Sequence, residues 1–391
     1  MGRCRMFKSL VTVSSLIMAI ATLGRALAEE QTALESNDRT TRLLAATCRG
    51  CWADAGIVAG VTTPTMLSVA PLPPPSGNTG VDSVTLAWSG GAFDTDDSIM
   101  VVWGGGHTDY CGNEVYEFAL STLDWRRVTQ PSACPPLTAS IDPYPDGMPA
   151  SRHTYGNLAY MSSTHQVASV GGVIYGSAGN GSSITWFFDV LHYRWTQKSR
   201  RGGNGGTSVG GYNPKDGNLY YAQGGRRGIS RYNPKLDYWT SLGNGEQADY
   251  HQNGAIDSVN EHIVAVGNSH LYVYDFGGNL VDRSSSATGD KTCENYSGPN
   301  GQGAPGFVFL AASRLFVCLA PGNAALYFLD PAQWTWTAHR ASASNRVIPP
   351  PESARANGVY GRFAYDPNHD CFVYVPDYRA HVFLYKPDFT P

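Results

Sequence analysis

The chain has 391 residues, 42% of them hydrophobic and only 15% charged, with a formal net charge of −4. That composition folds, which excludes a disordered chain, and its acidic balance excludes the basic face that a nucleic-acid partner requires. Abundant glycine and aromatic residues (44 Gly, 9 Trp, 22 Tyr, 14 Phe) suit many short strands joined by tight turns.

The first 28 residues read as a signal peptide. Arg3, Arg5 and Lys8 make a basic start, "SLVTVSSLIMAIATLG" is too short for a membrane span, and Ala26–Ala28 offers small residues to a signal peptidase. Cleavage before Glu29 predicts a secreted or periplasmic protein. No other stretch is apolar and long enough to span a bilayer. Without the leader, 24 Lys and Arg stand against 32 Asp and Glu, a net charge of −8. Seven cysteines remain, so disulfides are expected and at least one thiol is left over. "CRGC" at 48–51 has half of a zinc or redox motif. With no second CxxC, a local disulfide or a pair bonded elsewhere is the better reading. Residues 29–80 form an N-terminal segment ahead of the repeats.

From residue 81 onward no amphipathic helix is evident, and one pattern recurs: strand, glycine-rich turn, strand ending in an aromatic or leucine, then tryptophan. Phe118, Phe188, Tyr232 and Leu329 each precede a tryptophan by seven residues: Trp125, Trp195, Trp239 and Trp336. Upstream lie six apolar strands such as "SIMVVWGGG" and "HIVAVGN". Each follows another strand: "VTLAW", "YGNLAY", "VGGYNP", "NGAID", "GFVFLA", "YGRFAYDP". Four strands in roughly 40–60 residues is the period of a β-propeller blade. The prediction is therefore all-β, a propeller of four-stranded antiparallel blades over residues 81–391. Six blades are counted, and a seventh, degenerate one is left open in 40–80 or 283–305. The sixth repeat lacks its outer strand, so the segment around Trp52–Val69 is expected to supply it and close the ring.

The strand-Gly-Gly turn with its later tryptophan resembles the kelch repeat, as in the central domain of galactose oxidase and its relatives. The resemblance covers residues 81–391 and implies the fold rather than the reaction.

In an up-and-down blade the starts of the innermost strands meet the turns between second and third strands on one face, here called upper. "RHTYGNLAY" (152–160), "YHQNGAIDS" (250–258) and "VYGRFAYDP" (359–367) align there. Alternation then predicts one strand face that is polar at its start and small lower down, and a second face that is core. The turn "WGGGHTDYCGNEVY" (103–116) joins this upper face in the first blade. His107 has no counterpart in the second, third or fifth blade, whose turns show Tyr175, Arg226 and Asn323, so it is not needed to build a blade. Asn113 and Glu114 read as residues that order the turn. The long connections 128–150, 283–305 and 340–356 are expected to wall a cleft.

These observations select His107, His153, Tyr155, His251 and Arg362 as catalytic candidates. Asp109, Tyr110, Arg152, Tyr175, Asn253 and Tyr360 are selected for substrate binding. Histidine and tyrosine supply an acid and a base, and arginine pairs with a carboxylate, which fits β-elimination of a uronic-acid-containing polysaccharide. Some exported polysaccharide lyases, ulvan lyases among them, are similar propellers. The alternative is a propeller that binds glycan or protein without chemistry. Less favoured is a copper-radical oxidase, because "DYHQNGAID" (249–257) looks like the Tyr-His pair of galactose oxidase without its other ligands. The sequence fixes no cofactor. A bound metal ion is left open, with His107, His153 and His251 as its candidate ligands.

Overall fold

A computed structural model describes residues 36–58, 61–201, 205–223, 228–243, 248–351, 357–389 and 391. The expected leader and Arg226 lie outside the described residues. Six four-stranded antiparallel sheets follow one another along the chain. The first strands of the six blades are Gly91–Asp94, Leu158–Met161, Ser208–Asn213, Asn253–Asp257, Gly306–Leu310 and Phe363–Asp366. Each touches the next and the sixth touches the first, so the six blades form a closed ring.

The seven-residue spacing is now explained. Phe118 faces Trp125, Phe188 faces Trp195, Tyr232 faces Trp239 and Leu329 faces Trp336 directly across the last hairpin of their blades. The three aromatic pairs lie 5.0–5.2 Å apart, ring centre to ring centre, the contact that most favours a cross-strand pair. The lower hairpins share a second device. Asp94, Asp189, Asn233, Asp257 and Asp366 each accept backbone N–H bonds from residues two or three positions on. Four positions after each, the chain turns left-handed, at Ser98, Tyr193, Asp237, Glu261 and Asp370. A capping carboxylate or amide followed by a left-handed residue is how such a loop closes a hairpin.

Three expectations are corrected. "VTLAW" is not a strand: Ser83–Leu86 is a short helix, and the first blade opens with Gly91–Asp94. Neither open location holds a seventh blade among the described residues. Residues 40–80 give a helix, Arg39–Ala45, with short turns and two-residue strands. In 283–305 only Thr288–Gly289 is extended, and it runs parallel to the outer strand of blade five rather than staying on the upper face. Finally, alternation does not divide the innermost strands into a polar face and a core face. Leu158 packs with Ala92 and Trp103 of blade one, and the next residue, Ala159, packs with Leu219 and Tyr221 of blade three. Blades stack face to face, so both sets of alternating side chains enter core.

The outer strand of blade six comes from the N-terminal segment. Cys51–Asp54 pairs antiparallel with Phe383–Lys386, and Trp52 faces Tyr385. The N-terminal segment and the last described strand therefore share one sheet. Disulfides join Cys48 to Cys51, Cys111 to Cys134 and Cys293 to Cys318, and Cys371 is a buried thiol.

Candidate functional site

The glycine-rich turn of blade one lies against the start of blade two because Gly106 has no side chain. A Cβ there would stand 2.4 Å from the Arg152 Cα, and the backbone is left-handed at φ +78°. Gly106 donates its N–H to the Ser151 hydroxyl at 2.9 Å and to the Tyr110 carbonyl at 3.0 Å. This contact delivers His107 and Asp109 to His153. The Asp109 Oδ2 lies 3.0 Å from His153 Nε2, and its Oδ1 accepts the Thr79 hydroxyl at 2.7 Å. The Asp109 carbonyl in turn accepts the N–H groups of Thr79 and Gly80, so the N-terminal segment braces the turn.

The charge state of this pair follows from its surroundings. Burial opposes ionisation of Asp109, but hydrogen bonds from His153 and Thr79 and the neighbouring histidines outweigh it and hold the carboxyl below its usual range. Burial pushes the His153 imidazole down, and Asp109 only partly offsets this. The two directions agree on one state: an ionised Asp109 accepting a hydrogen bond from the Nε2–H of a neutral His153. That tautomer leaves a lone pair on Nδ1. His107 stands edge-on to His153 with ring centres 5.9 Å apart.

A set of left-handed aromatic residues surrounds the pair. Trp88, Tyr155 and Tyr360 each sit three residues before the first strand of their blades, at φ +47°, +48° and +49°. His107 adds φ +41°. Bulky residues avoid this region, at a cost of order 1 kcal/mol or more each, and such strain concentrates at functional sites. Trp88 stacks beside His153 at 5.1 Å and meets Tyr250 at 6.0 Å; Tyr155 meets His153 at 6.0 Å and Tyr360 at 6.1 Å. Burial, then the charges of Tyr250 and Asp109, pushes the Tyr155 phenol well above its usual value, so it keeps its proton.

His251 is one aromatic layer away. It packs on Tyr250 at 3.9 Å, and its Nδ1 lies 3.1 Å from Asp249. Tyr360 is fully buried and donates its hydroxyl to the Tyr250 carbonyl, so it props the cluster from below.

The remaining candidates have been placed inside the scaffold. Arg362 is fully buried and directs its guanidinium at the carbonyls of Ser89, Thr85, Gly358, Val375 and Pro376. Arg152 is equally buried; it pairs with Asp142 at 2.9 Å and bonds the Ala150 and Gly171 carbonyls. Neither has a face for substrate, because the inter-blade gaps they fill would otherwise hold unpaired carbonyls. Tyr110 is buried with its hydroxyl 2.7 Å from Glu114, Tyr175 is buried under the loop carrying Cys134, and Asn253 spends its amide on the Pro305 carbonyl at 3.0 Å. Asn113 and Glu114 order the turn as expected: Asn113 bonds Ser132 and the Pro149 carbonyl, and Glu114 receives Tyr110 and Tyr116.

Trp88, Thr79 and Tyr250 were not selected from the sequence. The signal for Trp88 was its place three residues before "GAFD", hidden by reading "VTLAW" as the strand. Among the described residues no three His, Cys, Asp or Glu side chains converge as a metal site.

No family model matches the chain, and no curated protein matches it in sequence. Solved structures do match in fold. An auxiliary nutrient binding protein from Bacteroides thetaiotaomicron VPI-5482 is 12% identical, with 75% of this chain and 67% of that one covered and a TM-score of 0.47. A protein of unknown function from the same organism is 11% identical over 86% of this chain and 75% of its own, with a TM-score of 0.51. Similarity at this level is one of propeller architecture.

Proposed function

We propose that the upper face is an acid–base site acting on a uronic-acid-containing polysaccharide by β-elimination. The observation that carries this reading is the Asp109–His153 pair. An ionised carboxylate fixes the imidazole tautomer and leaves Nδ1 as a base for the C5 proton. Tyr155, held protonated beside it, is the donor for the departing O4. His107 adjoins His153 as a hydrogen-bonding group for the uronate. The half-buried Trp88 offers a ring for a sugar to stack on. The three disulfides fit the oxidising exterior where such a substrate is met.

Incubation with a panel of acidic polysaccharides between pH 6 and 9 should raise the ultraviolet absorbance of unsaturated uronates. His153→Ala should lower that rate by about 10²–10⁴-fold, the usual worth of a positioned base. Absence of any rise across the panel would overturn the reading.

One observation favours a second reading, a glycan-binding propeller without chemistry. Both arginines expected to offset the uronate charge are spent on the scaffold. Saturable glycan binding with no absorbance change, weakened by Trp88→Ala, is its expected signature.

A further inference from the structure

At the opposite, lower face, blades four and five part to leave a cleft of about 520 Å³, within the size range of small-ligand sites. Its walls are the lower hairpins of the two blades. Arg283 leaves the outer strand of blade four and lays its guanidinium over the Trp334 ring at 5.5 Å. Its Nε is buried and has no hydrogen-bond partner. The buried His262 Nδ1 and Ser313 Oγ, on the same walls, are also unpartnered. Arg314 lines the cleft from an exposed, left-handed turn position at φ +57°.

The acidic residues of the cleft are occupied elsewhere. Asp275 accepts from the Asn279 N–H at 2.9 Å and its side-chain amide at 2.8 Å, and Asp330 caps its hairpin through the Ala332 N–H at 2.8 Å. A comparable arginine elsewhere shows what is unusual. Arg201, just past the outer strand of blade two, lies over Trp239 of blade three at 5.1 Å, and its guanidinium bonds the Tyr221 carbonyl at 3.1 Å. That arginine serves the scaffold. Arg283 keeps the same stacking without a carbonyl, and buried donors without acceptors are rare because each costs free energy.

We propose that this cleft is a second binding site, for a ligand bearing an oxyanion such as a carboxylate or sulfate group. Arg283 and Arg314 receive the anion, and Ser313 and His262 complete its hydrogen bonds. Guanidinium groups match the geometry of such oxyanions, and a partly enclosed cleft strengthens the attraction.

The test is titration of the whole protein with sodium sulfate and, separately, with sodium acetate, a carboxylate that is not a uronate, read by tryptophan fluorescence and calorimetry. Binding should move the guanidinium on Trp334, so Trp334→Phe should abolish the fluorescence change while heat is still released. Arg283→Gln/Arg314→Gln should weaken binding at least about tenfold, the scale of losing charge-assisted hydrogen bonds. His153→Ala should leave it unchanged, which separates this site from the upper face whatever the fate of the lyase reading. Preference for one probe over the other identifies the oxyanion. No binding of either at millimolar concentration, or binding equal in wild type and the double arginine variant, would overturn the proposal.

Discussion

The upper face and the lower cleft use arginine in opposite ways. On the upper side, Arg152 and Arg362 stand in the sequence among histidines and tyrosines, yet both are buried with their donors on carbonyls and, for Arg152, on Asp142. In the lower cleft, Arg283 and Arg314 sit in unremarkable stretches, "DRSSS" and "ASRLF", and their guanidinium groups have no hydrogen-bonding partner among the described residues. A guanidinium whose donors are spent builds the fold, and one whose donors are unspent is available to a ligand. Sequence proximity to a polar motif does not separate the two.

The largest effect expected from this contrast is at Arg362. Arg362→Met should cost about 3–5 kcal/mol in urea denaturation, because several buried carbonyls lose their only charged donor. Arg152→Met should cost somewhat less, about 3 kcal/mol, chiefly by leaving Asp142 a buried unpaired charge. If either variant kept full stability and lost only activity, the arginine would belong to the site after all.

A smaller effect contrasts two histidines. His153 is held neutral, with its folded pKa below the unfolded value of about 6.5. The unfolded chain therefore binds the proton more readily, and stability is lost as pH falls below about 6.5. Asp109, lowered in the fold, adds a loss at still more acidic pH. His369 behaves oppositely. Burial lowers it, but bonds to Asp366 at 2.5 Å and Asp38 at 3.0 Å prevail and raise it. Its contribution is complete below about pH 6.5 and is lost as pH rises through the folded value. Denaturation across pH 5–8 should show the gap between wild type and His369→Gln shrinking with rising pH. The gap to His153→Gln should grow up to about pH 6.5 and then level. Parallel curves for the two variants would contradict the assignment.

The fold was legible because it is written as a repeat. The Phe118–Trp125 spacing is a cross-strand pair, and its recurrence reports blade after blade. In the candidate site, His107 was legible because it departs from the repeat, and Asp109 because it shares the same turn on the upper face; the structure places both beside His153. Trp88 went unseen because its strand "GAFD" is short and glycine-led, whereas "VTLAW" has the β-branched look of a strand and folds as a helix under tertiary control. The buried arginines were misplaced for a different reason. Alternation assigns a strand face, but in stacked blades both faces are core, and only the partners of the guanidinium reveal its role.

The smallest effects expected are at Arg283 and Arg314. Arg314→Gln removes an exposed side chain with no partner and should change stability by no more than about 0.5 kcal/mol. Arg283→Gln also loses the Trp334 contact, worth about 0.5–1 kcal/mol at a partly exposed site. Against this the variant removes a buried donor that had no acceptor, so the net change should be smaller still. A loss of 2 kcal/mol or more at Arg283, roughly what a neutral buried hydrogen bond cannot supply alone, would mean that its donors already serve the scaffold. The two regions would then use arginine in the same way, and the lower cleft would be another structural junction like that of Arg201 and Trp239. Near-neutral stability combined with lost sulfate binding is the outcome that keeps the two apart.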